Sequence, residues 1–347
     1  MRLLVWGAGA IGGTIGAHLA RAGHDVTLVD RAEEHVAAIR TGGLRITGPL
    51  AEFTVRAQAF PPRELDGTFE HVLLAVKAQD TDAATRSLAR HLTRDGYVVS
   101  AQNGLNELVI KSIVGDERTI GCFVNFGADY LEPGVIQYAG RGAVVVGEVD
   151  GAVTPRLVEL HRVLRDFEQR AVLTTNIWGY LWGKLGYGAQ LFATALSNDS
   201  IADALDAPAY RGVYIELARE VMRVARARGI TPEGFDGFDP AAFAPEADAA
   251  RSQRSLDDMV AFNRRSAKTH SGVWRDLAVR KRRTEADAQL GPIVRLGAEV
   301  GVATPLVTRL IELVHDVEEG RRPQSRETVD LLKAALVQLE QRGAAVD

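Results

Sequence analysis

The first sixteen residues, MRLLVWGAGAIGGTIG, constrain the fold of this chain more than any other stretch. Leu3 to Trp6 form an unbroken apolar run, which is typical of a strand buried on both faces of a parallel sheet. Gly7, Gly9 and Gly12 follow as G-x-G-x-x-G and lead into an apolar helix. In such a loop the first glycine permits a tight turn, the second lets a pyrophosphate approach the backbone, and the third lets the helix pack on the strand. The helix N-terminus offers N–H groups to phosphates, so the pattern predicts dinucleotide binding rather than a bare glycine-rich turn.

Composition restricts the remaining possibilities. The 347 residues carry a formal net charge of -4, with 46% hydrophobic and 25% charged residues, which predicts a globular protein without a nucleic-acid surface. Cys122 is the only cysteine, so a disulfide within the chain and a cysteine-based metal site are excluded, and no metal is expected. The N-terminal strand does not resemble a signal peptide, and no apolar run reaches membrane-spanning length. These features predict a cytoplasmic protein with no membrane partner.

The second strand, Asp25 to Asp30, ends in an acid that is followed by Arg31. Asp30 lies 18 residues after Gly12, where a carboxylate can accept hydrogen bonds from adenosine ribose hydroxyls and would repel a 2′-phosphate. Arg31 could bind that phosphate instead. Asp30 could alternatively be an N-cap and Arg31 a solvated residue. Taken together the two residues favour NADH over NADPH.

Two more strands end in polar residues. Lys77 follows the apolar run from His71 to Val76, and Asn103 follows the run that begins at Tyr97. Ligands of doubly wound sheets lie beyond the carboxyl ends of the strands, so both side chains are candidates to contact cofactor or substrate. Alternatively, Lys77 is an ordinary exposed lysine and Asn103 part of an Asn-Gly turn. Three polar strand ends behind one glycine loop favour a shared ligand site.

The pattern changes near residue 176. Strands are predicted between Thr119 and Gly151 and at 171–174, with a helix at 155–167, whereas later segments are helical. We therefore predict an α/β chain: a Rossmann-type, doubly wound parallel sheet at 1–175 that binds the dinucleotide, and an all-helical domain at 176–347. Its predicted helices are 178–196, 207–228, 256–263, 284–300 and 305–319. The segment 229–250, rich in Gly, Pro, Asp and Ala, is either a lid or a flexible connection.

The helical domain contains two candidates for proton transfer. Lys184 interrupts an otherwise apolar helix, where a charge is costly unless it is paired or faces a polar cleft. Its stem could instead lie along apolar surface with the amine in water. Glu285 begins a predicted helix and could simply complement the helix dipole. His270 lies nearby, and a structural or surface role suits it better than catalysis.

These motifs together resemble the ketopantoate reductase (2-dehydropantoate 2-reductase) family over nearly the whole chain. The resemblance rests on the N-terminal glycine loop, Lys77 after VLLAV, Gln102-Asn103-Gly104, the Trp-x-x-x-Lys184-Leu stretch, and Arg283-Thr284-Glu285 followed by Ala303-Thr304-Pro305. It implies that Lys184 is the general acid, that Glu285 holds substrate and lysine in register, and that Lys77 and Asn103 contact cofactor and substrate. It also implies NADP as the cofactor, bound at Gly7, Gly9, Ala10, Ile11 and Gly12, whereas Asp30 favours NAD. It further implies an active site in the cleft between the domains, and a helical domain that contributes to the substrate site and forms a homodimer.

The sequence departs from the family where the substrate is expected to bind. Asparagines commonly stand four and eight residues after the family's lysine, but here these positions are Gly188 and Phe192. The substrate-binding serine is Ser271 only by an imperfect match, and Arg275 is a possible replacement. Gly188 is expected to open space one turn beyond Lys184, and Phe192, on the same helix face by i, i+4 spacing, to add apolar surface. We therefore expect either ketopantoate, with the lost hydrogen bonds supplied by another residue such as Gln190 or Arg275, or a bulkier and more apolar 2-oxo acid. A dinucleotide-binding sensor without catalysis remains an alternative of another class, although it would need neither Lys184 nor Glu285.

Overall fold

The computed structural model describes residues 1–266 and 269–344. Contacts divide the chain into two compact units, Met1–Ile177 and Trp178–Asp347. The strands of the first unit are β1 (Arg2–Trp6), β2 (Asp25–Val29), β3 (Leu44–Thr47), β4 (Phe53–Val55), β5 (Gln58–Phe60), β6 (Phe69–Leu74), β7 (Leu92–Ser100), β8 (Thr119–Glu132), β9 (Val135–Glu148) and β10 (Val172–Leu173). Its helices are α1 (Ala10–Arg21), α2 (Glu33–Gly42), α3 (Thr81–Ala89), α4 (Glu107–Val114) and α5 (Pro155–Leu164).

One sheet organises the first unit. Six strands in the order β5-β2-β1-β6-β7-β8 are parallel, and β8 pairs with β9 in an antiparallel ladder. β9 then pairs in parallel with β3 and β10, and β3 pairs antiparallel with β4. The prediction of a Rossmann-type sheet is confirmed, but the sheet is mixed rather than wholly parallel. The reason is the short Glu132–Val135 connection, which joins β8 and β9 as a hairpin with no room for a crossover helix.

Side chains of β1 alternate between two hydrophobic cores. Leu3 and Val5 pack in a core that contains apolar residues of α1, α2 and α5. Leu4 and Trp6 point to the opposite face, where the core contains residues of α3 and α4. A strand that is buried on both faces needs apolar side chains throughout, which explains the unbroken run in the sequence.

The second unit is helical in the part of the chain that the structure describes. Its helices are α6 (Ile177–Thr194), α7 (Ile201–Asp206), α8 (Arg211–Ala227), α9 (Ala249–Arg264), α10 (Gly272–Ala278), α11 (Ala286–Gln289), α12 (Gly291–Glu299), α13 (Pro305–Glu318) and α14 (Arg326–Ala344). The continuous helix predicted at 284–300 is wrong, because the chain breaks into α11 and α12 around Leu290. Pro292 lies in the first turn of α12, where its missing N–H costs nothing, whereas inside a longer helix it would remove a hydrogen bond. Within 1–266 and 269–344, no helix has the length and apolar character needed to cross a membrane.

Candidate active site

The glycine loop that joins β1 to α1 is closely packed against the neighbouring backbone. Gly7 has φ +100°, and a Cβ there would lie 2.8 Å from the carbonyl carbon of Ala75. A Cβ on Gly12 would lie 2.1 Å from the Gly7 oxygen. Gly9 is different, because a Cβ there would meet nothing within 4 Å. The structure therefore requires two of the glycines for the turn and for packing, and leaves open space in front of the third.

The N-terminus of α1 faces this open space. Gly9 is the N-cap residue, and no side chain caps the helix. Gly9, Ala10 and Ile11 are all partly exposed, whereas Gly7 and Gly12 are buried. The first-turn N–H groups and the positive end of the helix dipole can thus receive an anion, so the cradle fits the pyrophosphate of a dinucleotide.

A buried histidine holds this loop in place. His35 of α2 is fully buried, and its Nδ1 accepts a hydrogen bond of 2.9 Å from the Gly134 N–H. Its Nε2 therefore carries the proton and donates to the Ala8 carbonyl within the glycine loop, also at 2.9 Å. His35 was not among the residues predicted from the sequence. The available signal was its i, i+4 spacing with the buried Ile39, which puts the imidazole on the apolar face of α2.

The residues after β2 are engaged in local interactions. An oxygen of the Asp30 carboxylate accepts from the Ala32 N–H at 3.0 Å just before α2, much as an N-cap would. The Arg31 guanidinium is exposed and pairs with Asp80 at 3.1 Å. Glu33 and Glu34 add negative charge in the first turn of α2. The surroundings of this strand end are therefore more acidic than basic.

Lys77 and Asn103 lie at the ends of adjacent strands. Lys77 is exposed, three residues after the end of β6, and Asn103 is exposed, three residues after the end of β7. β1, which carries the glycine loop, pairs with β6, and β6 pairs with β7, all in parallel. The topology therefore brings the glycine loop, Lys77 and Asn103 to one edge of the sheet.

Lys184 lies on the one partly exposed stripe of α6. Tyr180, Lys184, Gly188 and Leu191 follow helical spacing and are all half-buried, while most other positions of the helix are buried. A Cβ added at Gly188 would meet nothing within 4 Å. The helix face that carries Lys184 therefore borders open space at Gly188, which leaves room there for a small ligand.

The expectation for Phe192 is wrong. This side chain is only 1% exposed and belongs to the core, so it adds no apolar surface to the open stripe; Leu191 takes that place. Gln190 is also fully buried, and its amide donates to the Tyr214 carbonyl of α8 at 3.0 Å. Phe192 is four residues after Gly188 but lies outside the open stripe, because that stripe is narrow.

The segment 229–250 is packed against α6. The Glu233 N–H donates to the Gly179 carbonyl at 2.9 Å, and a Cβ on Gly183 would lie 2.1 Å from the Glu233 oxygen. Phe235 makes an edge-on ring contact with Tyr187 of α6, with centroids 5.7 Å apart. Burial raises the pKa of Tyr187 to about 12, so its phenol stays neutral near pH 7. The segment thus places the aromatic ring of Phe235 against Tyr187, on the helix that carries Lys184.

Glu285 lies at a turn that is stabilised by hydrogen bonds of neighbouring residues. It is 9% exposed and precedes α11, but its side chain does not cap the helix. The hydroxyl of Thr284 accepts from the Ala286 N–H instead, and Glu318 of α13 receives both the N–H and the hydroxyl of Thr284. Thr284 and Glu318 therefore organise this turn, while Glu285 lies at the N-terminus of α11, where its carboxylate can still complement the helix dipole.

Ser271 and Arg275 lie on the short helix α10. Ser271 is its N-cap, with the hydroxyl oxygen accepting from the Trp274 N–H at 3.1 Å. The hydroxyl hydrogen of this buried serine can still be donated. Arg275 is half-buried one turn later, and His270 packs against the Trp274 ring with centroids 4.0 Å apart. A structural part for His270 agrees with this contact.

Comparisons with known proteins cover both units. A family model described as ketopantoate reductase PanE/ApbA matches residues 3–151, and a model described as ketopantoate reductase PanE/ApbA C terminal matches residues 176–318. A curated 2-dehydropantoate 2-reductase of Archaeoglobus fulgidus is 32% identical over 322 residues, which are 92% of this chain and 98% of that protein.

Solved structures show the same architecture. The crystal structure of a PanE/ApbA family ketopantoate reductase from Ralstonia eutropha is 26% identical, with a TM-score of 0.78 over 92% of this chain and 99% of that one. D-mandelate dehydrogenase in complex with NADH and anilino(oxo)acetate is 22% identical, with a TM-score of 0.80 over 92% and 99%. The second likeness concerns the fold alone.

Proposed function

Because the chain belongs to the ketopantoate reductase family, we propose that it reduces the ketone of a 2-oxo acid to the 2-hydroxy acid with NAD(P)H. The cofactor supplies the hydride. Gly7, Gly9 and Gly12 with the first turn of α1 would hold its pyrophosphate, as the open cradle at Gly9 supports. Ketopantoate is the first candidate substrate and pantoate the product, as for the curated relatives.

Lys184 is the proposed general acid. Hydride addition to the carbonyl carbon leaves negative charge on the oxygen, and an ammonium group stabilises this charge and supplies the proton. The observation that carries the proposal is the position of Lys184 on the open stripe of α6, beside the space at Gly188. Glu285 would orient substrate and lysine, and Lys77 and Asn103 would contact cofactor and substrate.

Residues of α10 are proposed to bind the carboxylate of the substrate. The Ser271 hydroxyl and the Arg275 guanidinium are the candidate ligands of the substrate carboxylate. Arginine suits this part because its planar guanidinium binds carboxylates through two hydrogen bonds. The buried Gln190 would not contribute, since its amide already bonds to α8.

A bulkier and more apolar 2-oxo acid is the second candidate substrate. The space at Gly188, where the family commonly has asparagine, and the ring contact between Tyr187 and Phe235 favour it. A pocket with fewer hydrogen-bond donors discriminates less against substrates that lack a hydroxyl group.

Turnover of a panel of 2-oxo acids, followed by nicotinamide absorbance with NADH and with NADPH, tests the proposed function. Ketopantoate as the substrate predicts kcat/KM above roughly 10⁴ M⁻¹s⁻¹ for it and much lower values for apolar 2-oxo acids. The reverse ranking favours the second candidate. If the chain binds the dinucleotide but turns over none of these acids, it is a sensor and the reductase proposal is wrong.

We also propose a cytoplasmic homodimer. The only cysteine, Cys122, is buried, so no disulfide stabilises the chain internally, and this composition suits a reducing compartment. The dimer follows from the family resemblance. Light scattering after size-exclusion chromatography would give a mass of twice that of the chain if the dimer forms.

A further inference from the structure

Two loops of the first unit carry residues assigned to ligand contact. Val76 and Lys77 follow β6, and Gln102 and Asn103 follow β7. The ladder between these strands ends where the Ala101 N–H donates to the Leu74 carbonyl at 2.9 Å. Both loops therefore extend beyond the sheet, and side-chain hydrogen bonds link them there.

Gln102 makes the first link. Its side chain is 4% exposed, and its amide nitrogen donates to the Val76 carbonyl at 2.9 Å and to the Thr81 hydroxyl at 2.8 Å. The carbonyl of Val76 belongs to the peptide that leads into Lys77. One amide group thus binds the backbone next to Lys77 and the first residue of α3.

Thr81 and Asn106 continue the chain of hydrogen bonds. The Thr81 hydroxyl donates to Asn106 Oδ1 at 2.8 Å, and Asn106 Nδ2 donates to the Asn103 carbonyl at 2.7 Å. The donors and acceptors match in number. The two hydrogens of Gln102 Nε2 are donated to two acceptors, and the single hydroxyl hydrogen of Thr81 is donated to one. Thr81 and Asn106 are 1% and 5% exposed, so water competes little with these bonds.

We infer that Gln102, Thr81 and Asn106 are positioning residues that hold Lys77 and Asn103 at the separation required for ligand binding and hydride transfer. This inference rests on the proposed function, in which those two residues contact cofactor and substrate. A buried network is sensitive to the loss of one member, because the remaining polar groups are left without partners. A shift of about 1 Å in a group that contacts a reacting ligand can cost as much as a hundredfold in rate.

Thr81→Val tests the inference, since it removes the hydroxyl and keeps the shape. Thr81→Ser restores the hydroxyl. Thr119→Val is the matched control, because Thr119 is also fully buried and its hydroxyl bonds only to the Gly115 carbonyl among the described contacts. For each variant, kcat and KM, the NAD(P)H dissociation constant by fluorescence titration, and the melting temperature are measured.

We expect Thr81→Val to lower kcat/KM by about tenfold or more and to weaken NAD(P)H binding, with Thr81→Ser close to the wild type. Thr119→Val should lower the melting temperature without these effects. If both valine variants lose stability and neither changes kinetics or affinity, the three residues serve the fold alone and the inference is wrong. If Thr81→Val does not fold, Asn106→Ala breaks the same chain at another bond, and the same criteria apply. The fluorescence titration remains decisive if the wild type reduces no 2-oxo acid, so failure of the proposed function is separately visible.

Discussion

Asp30 and Arg31 place opposite charges next to each other where the adenosine ribose is expected. The exposed guanidinium of Arg31 already pairs with Asp80, so it would have to leave a carboxylate to bind a 2′-phosphate. Asp30 uses one oxygen for the Ala32 N–H and keeps acceptor capacity for ribose hydroxyls. These two side chains support the expectation of NADH, whereas the family resemblance implies NADP.

The cofactor preference follows from this charge balance. We expect kcat/KM to be higher with NADH than with NADPH, and Asp30→Asn to shift the ratio toward NADPH by removing charge and keeping the bond to Ala32. Asp25→Asn, at the opposite end of β2, is the control and should leave the ratio unchanged. A wild-type preference of about tenfold or more for NADPH, roughly 1.4 kcal/mol, would show that Arg31 dominates.

The proposed role of Glu285 in substrate binding can be tested by substitution. If its carboxylate grips the substrate, Glu285→Ala should raise the KM for the 2-oxo acid by about tenfold or more, with a smaller change in kcat. Glu312→Ala, an exposed acid of α13, is the control. If steady-state kinetics show unchanged KM and kcat, Glu285 does not bind the substrate and serves only the start of α11.

Among the elements of the fold, the loop between β1 and α1 uses glycine for two purposes: one glycine permits close packing, and another leaves space for a ligand. A Cβ on Gly12 would overlap the Gly7 carbonyl oxygen, whereas a Cβ on Gly9 would meet open space, and Gly9 has φ -70°, a value that alanine adopts easily. Substitution by alanine should therefore separate the two roles.

We predict opposite outcomes for the two alanine variants. Gly9→Ala should keep the melting temperature within about 2 °C of the wild type and weaken NAD(P)H binding by about tenfold, because the new methyl group occupies the pyrophosphate space. Gly12→Ala should lower the melting temperature by several degrees, since α1 must move off the Gly7 carbonyl. Thermal denaturation and fluorescence titration measure both effects. A Gly9→Ala variant with normal cofactor affinity would contradict the placement of the pyrophosphate.

Elements with strong local patterns could be predicted from the sequence. Most of β1 and β2 and the last three residues of β6 are buried, which explains the apolar runs in the sequence, and α6 and α13 are long helices rich in apolar residues. Other elements lack such a pattern: the helices α4, α7, α10 and α14 are not among those predicted, and β4 and β5, although only two residues separate them in the chain, lie at opposite edges of the sheet.

The candidate site was predictable only in part. Residues at strand ends and in glycine motifs are recognisable because topology alone gives them their place. His35 is not, since its partner Gly134 is 99 residues away, and the hydrogen bonds from Gln102 through Thr81 to Asn106 join three separate segments. Such contacts depend on tertiary packing, which no local pattern encodes.

At the scale of the whole molecule, stability depends on buried carboxyl groups in both units. Burial raises the pKa of Glu107 to about 8 and that of Glu220 to about 7, while two backbone N–H groups of α13 partly offset the effect on Glu220. Neither oxygen of Glu107 has a hydrogen-bond partner within the described residues. A carboxyl whose pKa is higher in the folded than in the unfolded chain binds a proton more tightly when folded.

Stability should therefore fall as the pH rises from about 4.5, the ordinary pKa, toward 8. Glu107→Gln removes this ionisation and keeps the shape, so its melting temperature should exceed that of the wild type by a margin that grows between pH 5 and pH 8.5. The exposed Glu117→Gln is the control and should show a constant difference. An equally constant difference for Glu107→Gln would mean that this carboxyl does not titrate in the folded chain over that range.

The account as a whole assigns the cofactor cradle to the first unit and the proton donor to the second. The most direct test is the turnover number of wild type and Lys184→Ala with the 2-oxo acid that the wild type reduces best, alongside their NAD(P)H dissociation constants and Lys111→Ala as a surface control. The account predicts a fall in kcat of about a hundredfold or more for Lys184→Ala, with cofactor affinity within about twofold, because the loss is felt in the transition state. Near-normal turnover of Lys184→Ala would contradict it.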